Sequence, residues 1–505
     1  MPRKIKLKNK FLFFFLLLLS AAPLKGQSNY DSQIKKGISL AYNFQLEEAE
    51  KVLSKALEIS PDRPEAYHYI AECHLWGFLG SKDLTELKIF TRWSEISIDK
   101  AEELLDKNPK DYKLNYLLGN IYLLKAMALG ADNSTLSAFS ASKTSYSYFE
   151  KTLELNPNYF DAYRGLGIFN YALDYIPGVF KWAISLTGMK ADREKGFNLV
   201  RTAYFKGSDD KVDAGFHLAK MYTDYIAEYD SALIVLKKLI TQYPNNPIFN
   251  YQAAIALIKA GSLQEAEKYC NRVIQLNHSS VAQMNSLSLF IKGDIYYKRN
   301  DFQNAAKFYN DFLEEARDAD YTGIASYRLA ICCYINGNYD LYKKYLLDAR
   351  EGNTDIFEDE YAKRLSKNLN GREPSKEEIL LIKSKNDFNA GKYQNAIKYL
   401  LPIVRSIKNN DLRREAFIIM AESSFHLKKY DDCYSFVYSA DSVSVENAKW
   451  LIPKSFYIKS LLEYNKGNIR SARLFFEKAW DENDFDFKDE ISVLLNQLKR
   501  KIFKN

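Results

Sequence analysis

The segment SLLEYNKGNIRSARLFFEKA, residues 460–479, decides the fold of this chain of 505 residues. Ser460, Ala472, Phe476 and Ala479 stand in it at offsets 0, +12, +16 and +19. Small side chains at the first two positions allow two helices to cross closely, and the larger ones fill the adjacent layer. The spacing therefore predicts two consecutive helices that pack against each other.

The same offsets recur in four other places along the chain. They are occupied by Gly37, Ala49, Leu53 and Ala56; by Ala254, Ala266, Cys270 and Val273; by Gly293, Ala305, Tyr309 and Phe312; and by Ala421, Cys433, Val437 and Ala440. This recurrence resembles the tetratricopeptide repeat, in which one helix pair takes about 34 residues. We therefore expect an all-α fold, a right-handed α-solenoid or superhelix of about eleven such pairs.

The repeat pattern divides the mature chain into two arrays. The N-terminal array spans 27–350, and the C-terminal array spans 377–505. Between them, at 351–376, the pattern lapses into polar residues, which predicts an irregular linker or hinge. Three early helix pairs are lengthened by insertions, at about 77–93, 126–142 and 172–192. The last helix, Lys488–Ile502, is apolar on one face and predicts a cap over the open end of the array.

The first 26 residues have the order of a secretory signal peptide. A basic segment precedes the apolar run 11–19, and Ser20, Ala21 and Ala22 follow it. A run of nine residues is shorter than the roughly 20 that a membrane-spanning helix needs. We expect export to the periplasm or cell envelope of a bacterium, with cleavage before Gln27. An uncleaved N-terminal anchor is the alternative.

The charge distribution argues against nucleic acid as a partner. The formal net charge is +7, but residues 1–26 hold six Lys and Arg and no acid, which leaves +1 for the remainder. A nucleic-acid-binding protein would carry a basic face. The five cysteines are widely spaced and odd in number, so they do not form the dense framework of a disulfide-rich domain.

Residues 112–207 carry a more specific pattern. It includes Gly165–Tyr171 (GLGIFNY), then Ile176-Pro177, then Asp192–Gly196 (DREKG). This order resembles the tetratricopeptide repeat protein 39-like family. The resemblance implies a helical-repeat protein without established catalytic residues, so no site residue carries over.

No catalytic, cofactor or metal motif stands out elsewhere. The chain lacks GxxxxGK, GxSxG and HExxH, and we expect no enzyme activity and no cofactor. His68, Cys73 and His74 share no helix face well, so we interpret them as packing residues rather than metal ligands. The neighbouring Cys332 and Cys333 point apart on a helix and are interpreted as core residues.

A partner site is expected on the first helix of each pair, which lines the groove in this class of superhelix. The groove positions lie three before, one after and four after the small residue of that helix. From them we select Tyr116, Asn120, Arg164, Ile168, Tyr171, Phe216, Lys220, Tyr251, Phe290 and Tyr327. An apolar, tyrosine-rich trough with few charges suits an extended peptide or a helix of a protein partner. The alternatives are that neighbouring repeats fill the trough, and that Arg164 pairs internally with Asp161 or Asp132.

The stretch 175–186 is the most apolar of the insertions. Its large side chains Ile176, Val179, Phe180 and Trp182 form either a plug inside the superhelix or a wedge for a membrane or partner. The sequence thus predicts a non-enzymatic interaction scaffold of the bacterial cell envelope. The alternative is a peripheral outer-membrane-associated assembly or trafficking factor that docks through this insertion.

Overall fold

A computed structural model of the chain describes residues 29–175, 191–276, 279–316, 320–482 and 485–503. Within these ranges there are 24 α-helices, two short 3-10 helices and no strand. The all-α solenoid of helix pairs is confirmed. The proposed signal peptide lies outside the described residues. None of the helices within the described ranges is long and apolar enough to cross a membrane.

The helices are numbered here in chain order. The first twelve are α1 (29–42), α2 (Leu46–Ile59), α3 (Glu65–Ser81), α4 (Leu84–Lys107), α5 (Tyr112–Ala131), α6 (Thr135–Leu155), α7 (Ala162–Ala172), α8 (Arg193–Lys206), α9 (Lys211–Asp224), α10 (Tyr229–Gln242), α11 (Pro247–Lys259) and α12 (Leu263–Leu276). The second twelve are α13 (Ala282–Lys298), α14 (Phe302–Glu315), α15 (Thr322–Ile335), α16 (Tyr339–Asp348), α17 (Phe357–Leu369), α18 (Lys376–Asn389), α19 (Tyr393–Leu400), α20 (Asn410–His426), α21 (Tyr430–Asp441), α22 (Leu451–Asn465), α23 (Ile469–Asp481) and α24 (Lys488–Ile502).

The repeated offsets correspond to real contacts between paired helices. A Cβ placed on Gly293 of α13 would lie 2.6 Å from the ring of Tyr309 on α14, which is the residue at offset +16. The hydroxyl of Ser460 on α22 donates a 2.7 Å hydrogen bond to the carbonyl of Ala472 on α23, at offset +12. Small residues are therefore needed where the helices cross, because no larger side chain fits.

The chain forms two compact units. Unit 1 comprises the described parts of Met1–His217, Leu239–Asn246 and His278–Ala282. Unit 2 comprises the described parts of Leu218–Lys238, Pro247–Asn277 and Gln283–Asn505. Each unit has its own buried apolar side chains: the first includes Leu53, Leu118 and Phe149, and the second includes Phe312 and Val437.

The early insertions at 77–93 and 126–142 lengthen helices. Helices α3 and α4 have 17 and 24 residues, and α5 and α6 have 20 and 21. The unextended pair α11 and α12 has 13 and 14. Most of the third insertion, residues 176–190, lies outside the described residues.

The segment 351–376 differs from the expected irregular linker or hinge, because residues 357–369 form the regular helix α17. Its Ala362 and Leu369 are buried. The buried carboxylate of Asp359 accepts hydrogen bonds from the backbone N–H groups of Ile324 at 2.8 Å and Asn353 at 3.1 Å. The sequence of α17 is strongly polar, and its few buried contacts were too sparse to reveal the helix from periodicity.

Helix α24 has the bounds that the sequence indicates, Lys488–Ile502. Its apolar face joins the core formed by α20 to α23 through Ile491, Leu495, Leu498 and Ile502. On another face, the side-chain amides of Asn496 and Gln497 donate to the carbonyls of Tyr225 at 3.1 Å and Ala227 at 3.0 Å. None of the residues 491–498 is exposed, whereas both ends of the helix carry exposed residues: Lys488, Asp489, Glu490, Lys499 and Lys501.

Candidate functional site

Arg164 lies at the centre of a buried polar network in unit 1. Its guanidinium forms a salt bridge with Asp210, with 2.6 Å between Nη2 and Oδ2, and donates to Asn120 Oδ1 at 2.8 Å. The hydroxyl of Tyr116 also donates to Asp210. The structure thus brings together three of the predicted groove residues, Tyr116, Asn120 and Arg164, and all three are buried.

Asp161 holds the loop that positions Asp210. Its carboxylate accepts hydrogen bonds from the backbone N–H groups of Ser208, Asp209 and Asp210 at 3.1, 3.0 and 2.9 Å. Three such bonds order the turn before α9. Arg164 therefore does pair internally, but with Asp210 and not with Asp161 or Asp132. Arg164 thus connects α5, α7 and the start of α9 through its side-chain contacts.

Two more carboxyl groups lie beside this network. The hydroxyl of Tyr42 on α1 donates to Asp213 Oδ2 at 2.5 Å, and the indole of Trp76 donates to Glu72 Oε1 at 3.3 Å. Burial and the neighbouring carboxylate of Asp210 raise the pKa of Asp213 to about 6, against the lowering effect of Arg164. Burial, followed by Asp213 and Asp210, raises the pKa of Glu72 to about 8. We call Glu72, Asp210 and Asp213 the acidic cluster.

His68 accompanies the acidic cluster. It stands one turn before Glu72 on α3, so both side chains share one helix face. Only 4% of the residue is exposed, and its Nδ1 has no hydrogen-bond partner within the described part of the chain. Burial lowers the pKa of His68 to about 4, with smaller effects from Asp210 and Arg164. The ring is therefore neutral near pH 7 and adds no positive charge.

The other predicted groove residues are more dispersed. Ile168, Tyr171 and Phe216 are half-buried in unit 1. In unit 2, Tyr251 and Tyr327 are half-buried, Lys220 is exposed and pairs with Asp224 at 2.6 Å, and Phe290 is buried in contact with the rings of Tyr309, Phe312 and Tyr321. Phe290 acts as a core residue, while the groove assignment of the rest stays a prediction.

Four residues of the network around Arg164 were not predicted from the sequence: Tyr42, Glu72, Asp210 and Asp213. A usable signal existed for one of them. The groove positions counted from Ala71, the small residue of α3, are His68, Glu72 and Leu75. Asp210 and Asp213 follow a loop and precede the regular pattern of α9, so repeat spacing does not identify them.

Three carboxyl groups on the first helices of unit 2 have cationic partners. Asp294 pairs with Arg328 and accepts from the hydroxyl of Tyr309 at 2.6 Å. Glu415 pairs with Lys385 at 3.0 Å. Glu422 similarly pairs with Lys454 at 2.8 Å. These acids are neutralised within the unit.

The remaining candidates support no separate chemical site. The five cysteines are buried and free, and burial raises the pKa of the Cys73 thiol. Nδ1 of His74 lies 2.6 Å from Glu86 Oε2. No group of three His, Cys, Asp or Glu within the described ranges could hold a metal ion. The proposed wedge residues Ile176, Val179, Phe180 and Trp182 lie outside the described residues.

Two family models described as tetratricopeptide repeat match the chain. The first covers residues 227–288 and the second covers residues 287–319. This segment consists of tetratricopeptide repeats. Such repeats indicate a protein–protein interaction scaffold. The finer resemblance of residues 112–207 to the tetratricopeptide repeat protein 39-like family is not confirmed by these matches.

Solved structures of tetratricopeptide repeat proteins align with parts of the chain. PilF of Pseudomonas aeruginosa is 13% identical with a TM-score of 0.34, over 49% of this chain and 97% of that one. A tetratricopeptide repeat protein from Parabacteroides merdae is 15% identical with a TM-score of 0.26, over 57% and 98%. The repeat domain of P58(IPK) is 14% identical with a TM-score of 0.20, over 86% and 99%. No curated protein matches the sequence. These values assign no specific function.

Proposed function

We propose that the chain is a non-enzymatic scaffold of the bacterial cell envelope that binds an extended peptide or a helix of a protein partner. The binding surface is the face of unit 1 formed by α1, α3, α5, α7 and the start of α9, which we call the unit 1 face. Its side chains include Tyr42, Tyr69, Tyr116, Arg164 and the acidic cluster.

The meeting of aromatic and charged side chains from the first helices of five successive pairs carries this proposal. Tyr42, Tyr69 and Glu72 are half-buried, so solvent and a partner can still reach part of each. Tyr69 interacts electrostatically with all three acids of the cluster. Large aromatic side chains beside a few charged groups are the composition that protein interfaces concentrate at their energetic centre.

The envelope location is supported by the order of residues 1–26, in which a basic segment, an apolar run and small residues succeed one another. N-terminal sequencing of the protein from its host should begin at or within a few residues of Gln27. Intact Met1 on protein from the cytosol would contradict this part of the proposal. Docking of the 175–186 insertion to the outer membrane rests on sequence alone.

Site-specific photo-cross-linking in the native envelope tests the binding surface. A photoreactive phenylalanine analogue replaces Tyr69 on the unit 1 face, and the matched control replaces Phe205 on α8, which is 60% exposed. We expect a cross-link from position 69 to one defined segment of a partner protein, and none to that segment from position 205. Cross-links to the same segment from position 205 alone would overturn the proposed surface.

A further inference from the structure

The unit 1 face carries more half-buried carboxyl groups than its cations balance. Three carboxyl groups, those of Glu72, Asp210 and Asp213, lie near one guanidinium, that of Arg164. Asp210 forms the salt bridge with Arg164. Within the described part of the chain, Glu72 and Asp213 form no salt bridge, and their hydrogen-bond donors Trp76 and Tyr42 are neutral.

This arrangement is costly unless a cation joins it. A buried carboxylate is stable when a positive charge or several donors replace the lost water. Without one, such a group holds its proton, and the pKa values of Glu72 and Asp213 are raised for that reason. An incoming positive charge would stabilise both ionised carboxylates at once.

His68, next to the acidic cluster, has a buried ring nitrogen that could accept a hydrogen bond. Its Nδ1 is buried without a hydrogen-bond partner among the described residues, although its ring lies on the same face of α3 as Glu72 and interacts electrostatically with Asp210. A buried polar atom without a partner costs free energy in the folded chain. In the neutral ring, Nδ1 can accept a hydrogen bond from an N–H group that enters the cluster.

We propose that the acidic cluster is a binding site for a lysine or arginine side chain of the partner protein. This inference rests on the proposed function and specifies the chemistry of the partner. The ammonium or guanidinium group donates to Glu72 and Asp213, while its aliphatic stem lies against the rings of Tyr42 and Tyr69. A side-chain cation suits the site because no described group of residues is arranged to hold a metal ion.

A labelled tetralysine peptide provides the probe, with tetraglutamate as its charge-reversed counterpart. Tetralysine is added to the full chain, and a carbodiimide then joins its amines to nearby carboxyl groups as amides. We expect mass spectrometry to find the amide at Glu72 or Asp213. The double variant Glu72→Gln with Asp213→Asn should weaken tetralysine binding, measured by fluorescence anisotropy, by about tenfold or more.

The matched control is Glu47→Gln with Glu48→Gln, which removes the same charge from exposed positions on α2. Circular dichroism of both variants verifies that they fold. Equal tetralysine affinity of the two double variants, or coupling only at other carboxyl groups, would overturn the inference. The two proposals are tested separately. The scaffold proposal is contradicted if the cross-link from position 69 does not form, and the cation site is contradicted if tetralysine does not bind at the acidic cluster.

Discussion

Units 1 and 2 use the same kind of helix pair but differ in the partner of a glutamate at the same repeat position. In unit 2, Glu422 is paired with Lys454 at 2.8 Å. In unit 1, within the described part of the chain, Glu72 has only the indole of Trp76 as a donor, at 3.3 Å. Both glutamates follow the small residue of a first helix, after Ala421 and Ala71 respectively. The repeat position therefore fixes where a side chain lies, and its neighbours determine whether its charge is satisfied.

This difference separates internal support from a surface able to bind. A carboxylate paired within its own unit gains little from a partner, because the pair must first be broken. A carboxyl without a cation gains when one arrives. In unit 2, residues 491–498 of α24 are all at least partly buried, and the side chains of Asn496 and Gln497 donate to backbone carbonyls. On this contrast we propose that unit 1 carries the binding surface, while the core around α24 closes unit 2.

Arg164→Ala should have the largest effect. It leaves three carboxyl groups of unit 1 without their one cation, and we expect a loss of about 3–5 kcal/mol in the free energy of unfolding. Arg328→Ala in unit 2 removes the cation from one acid, Asp294, which still accepts a hydrogen bond from Tyr309. We expect a smaller loss in the free energy of unfolding. Urea denaturation of both variants measures the two free energies of unfolding. A smaller loss for Arg164→Ala than for Arg328→Ala would contradict the difference between the two units.

Arg164→Lys is the control for charge. Lysine restores the positive charge but cannot contact Asp210 and Asn120 with the planar arrangement of donors that arginine has. We expect a stability between those of the parent and of Arg164→Ala.

Leu495→Ala tests the closure of unit 2. The side chain is 3% exposed in the core of α20 to α24, and its truncation should cost about 2–5 kcal/mol. The control is Leu494→Ala at the neighbouring, half-buried position. We expect it to lower the free energy of unfolding by less. Hydrogen exchange should increase in α22 to α24, while the cross-link from position 69 persists. Loss of that cross-link would contradict the separation of roles.

Tyr42→Phe should have a smaller effect than the substitutions described above. It removes the neutral donor to Asp213 and should cost about 0.5–1.5 kcal/mol. The matched change Tyr309→Phe removes the corresponding donor to Asp294, which still has Arg328. We expect the Tyr42 variant to lose more stability in thermal melting. Equal losses would indicate that Asp213 has another stabilising partner.

The sequence predicted the elements whose causes are local. Small residues at regular offsets revealed the helix pairs, and the apolar stripe of α24 revealed its bounds. The partner of Arg164 was not predictable in this way, because Asp210 lies 46 residues further along the chain and its loop is ordered by Asp161. Similarly, α17 is a polar helix whose Asp359 accepts a hydrogen bond from the backbone N–H of Ile324, 35 residues earlier in the chain.

The acidic cluster was predictable in part. Glu72 occupies a groove position of α3, and extending that rule to the early repeats would have included it. The raised pKa of Glu72 would still not have been predicted, because it depends in part on Asp210 and Asp213, which lie more than a hundred positions away at the start of α9. Charge balance across a superhelix is a property of the assembled fold and not of one repeat.

The pH dependence of stability in Glu72→Gln tests most directly the central claim, that Glu72 on the unit 1 face has no cation paired with it within the described part of the chain. The pKa of Glu72 in the folded chain, about 8, is above its ordinary value, so the folded state binds more protons than the unfolded state between these values. The ionised group thus reduces stability as pH rises from about 5 to 8. Glutamine abolishes this loss, whereas Glu415→Gln in unit 2 breaks the 3.0 Å pair with Lys385.

The measurement is the melting temperature of the parent and both variants at pH 5 and pH 8. We expect Glu72→Gln to match the parent at pH 5 and to melt about 2–4 °C higher at pH 8, as about 1 kcal/mol does in a unit of this size. Glu415→Gln should melt below the parent at pH 8. A Glu72→Gln variant that melts below the parent at pH 8 would show that Glu72 is already paired, and would contradict the account.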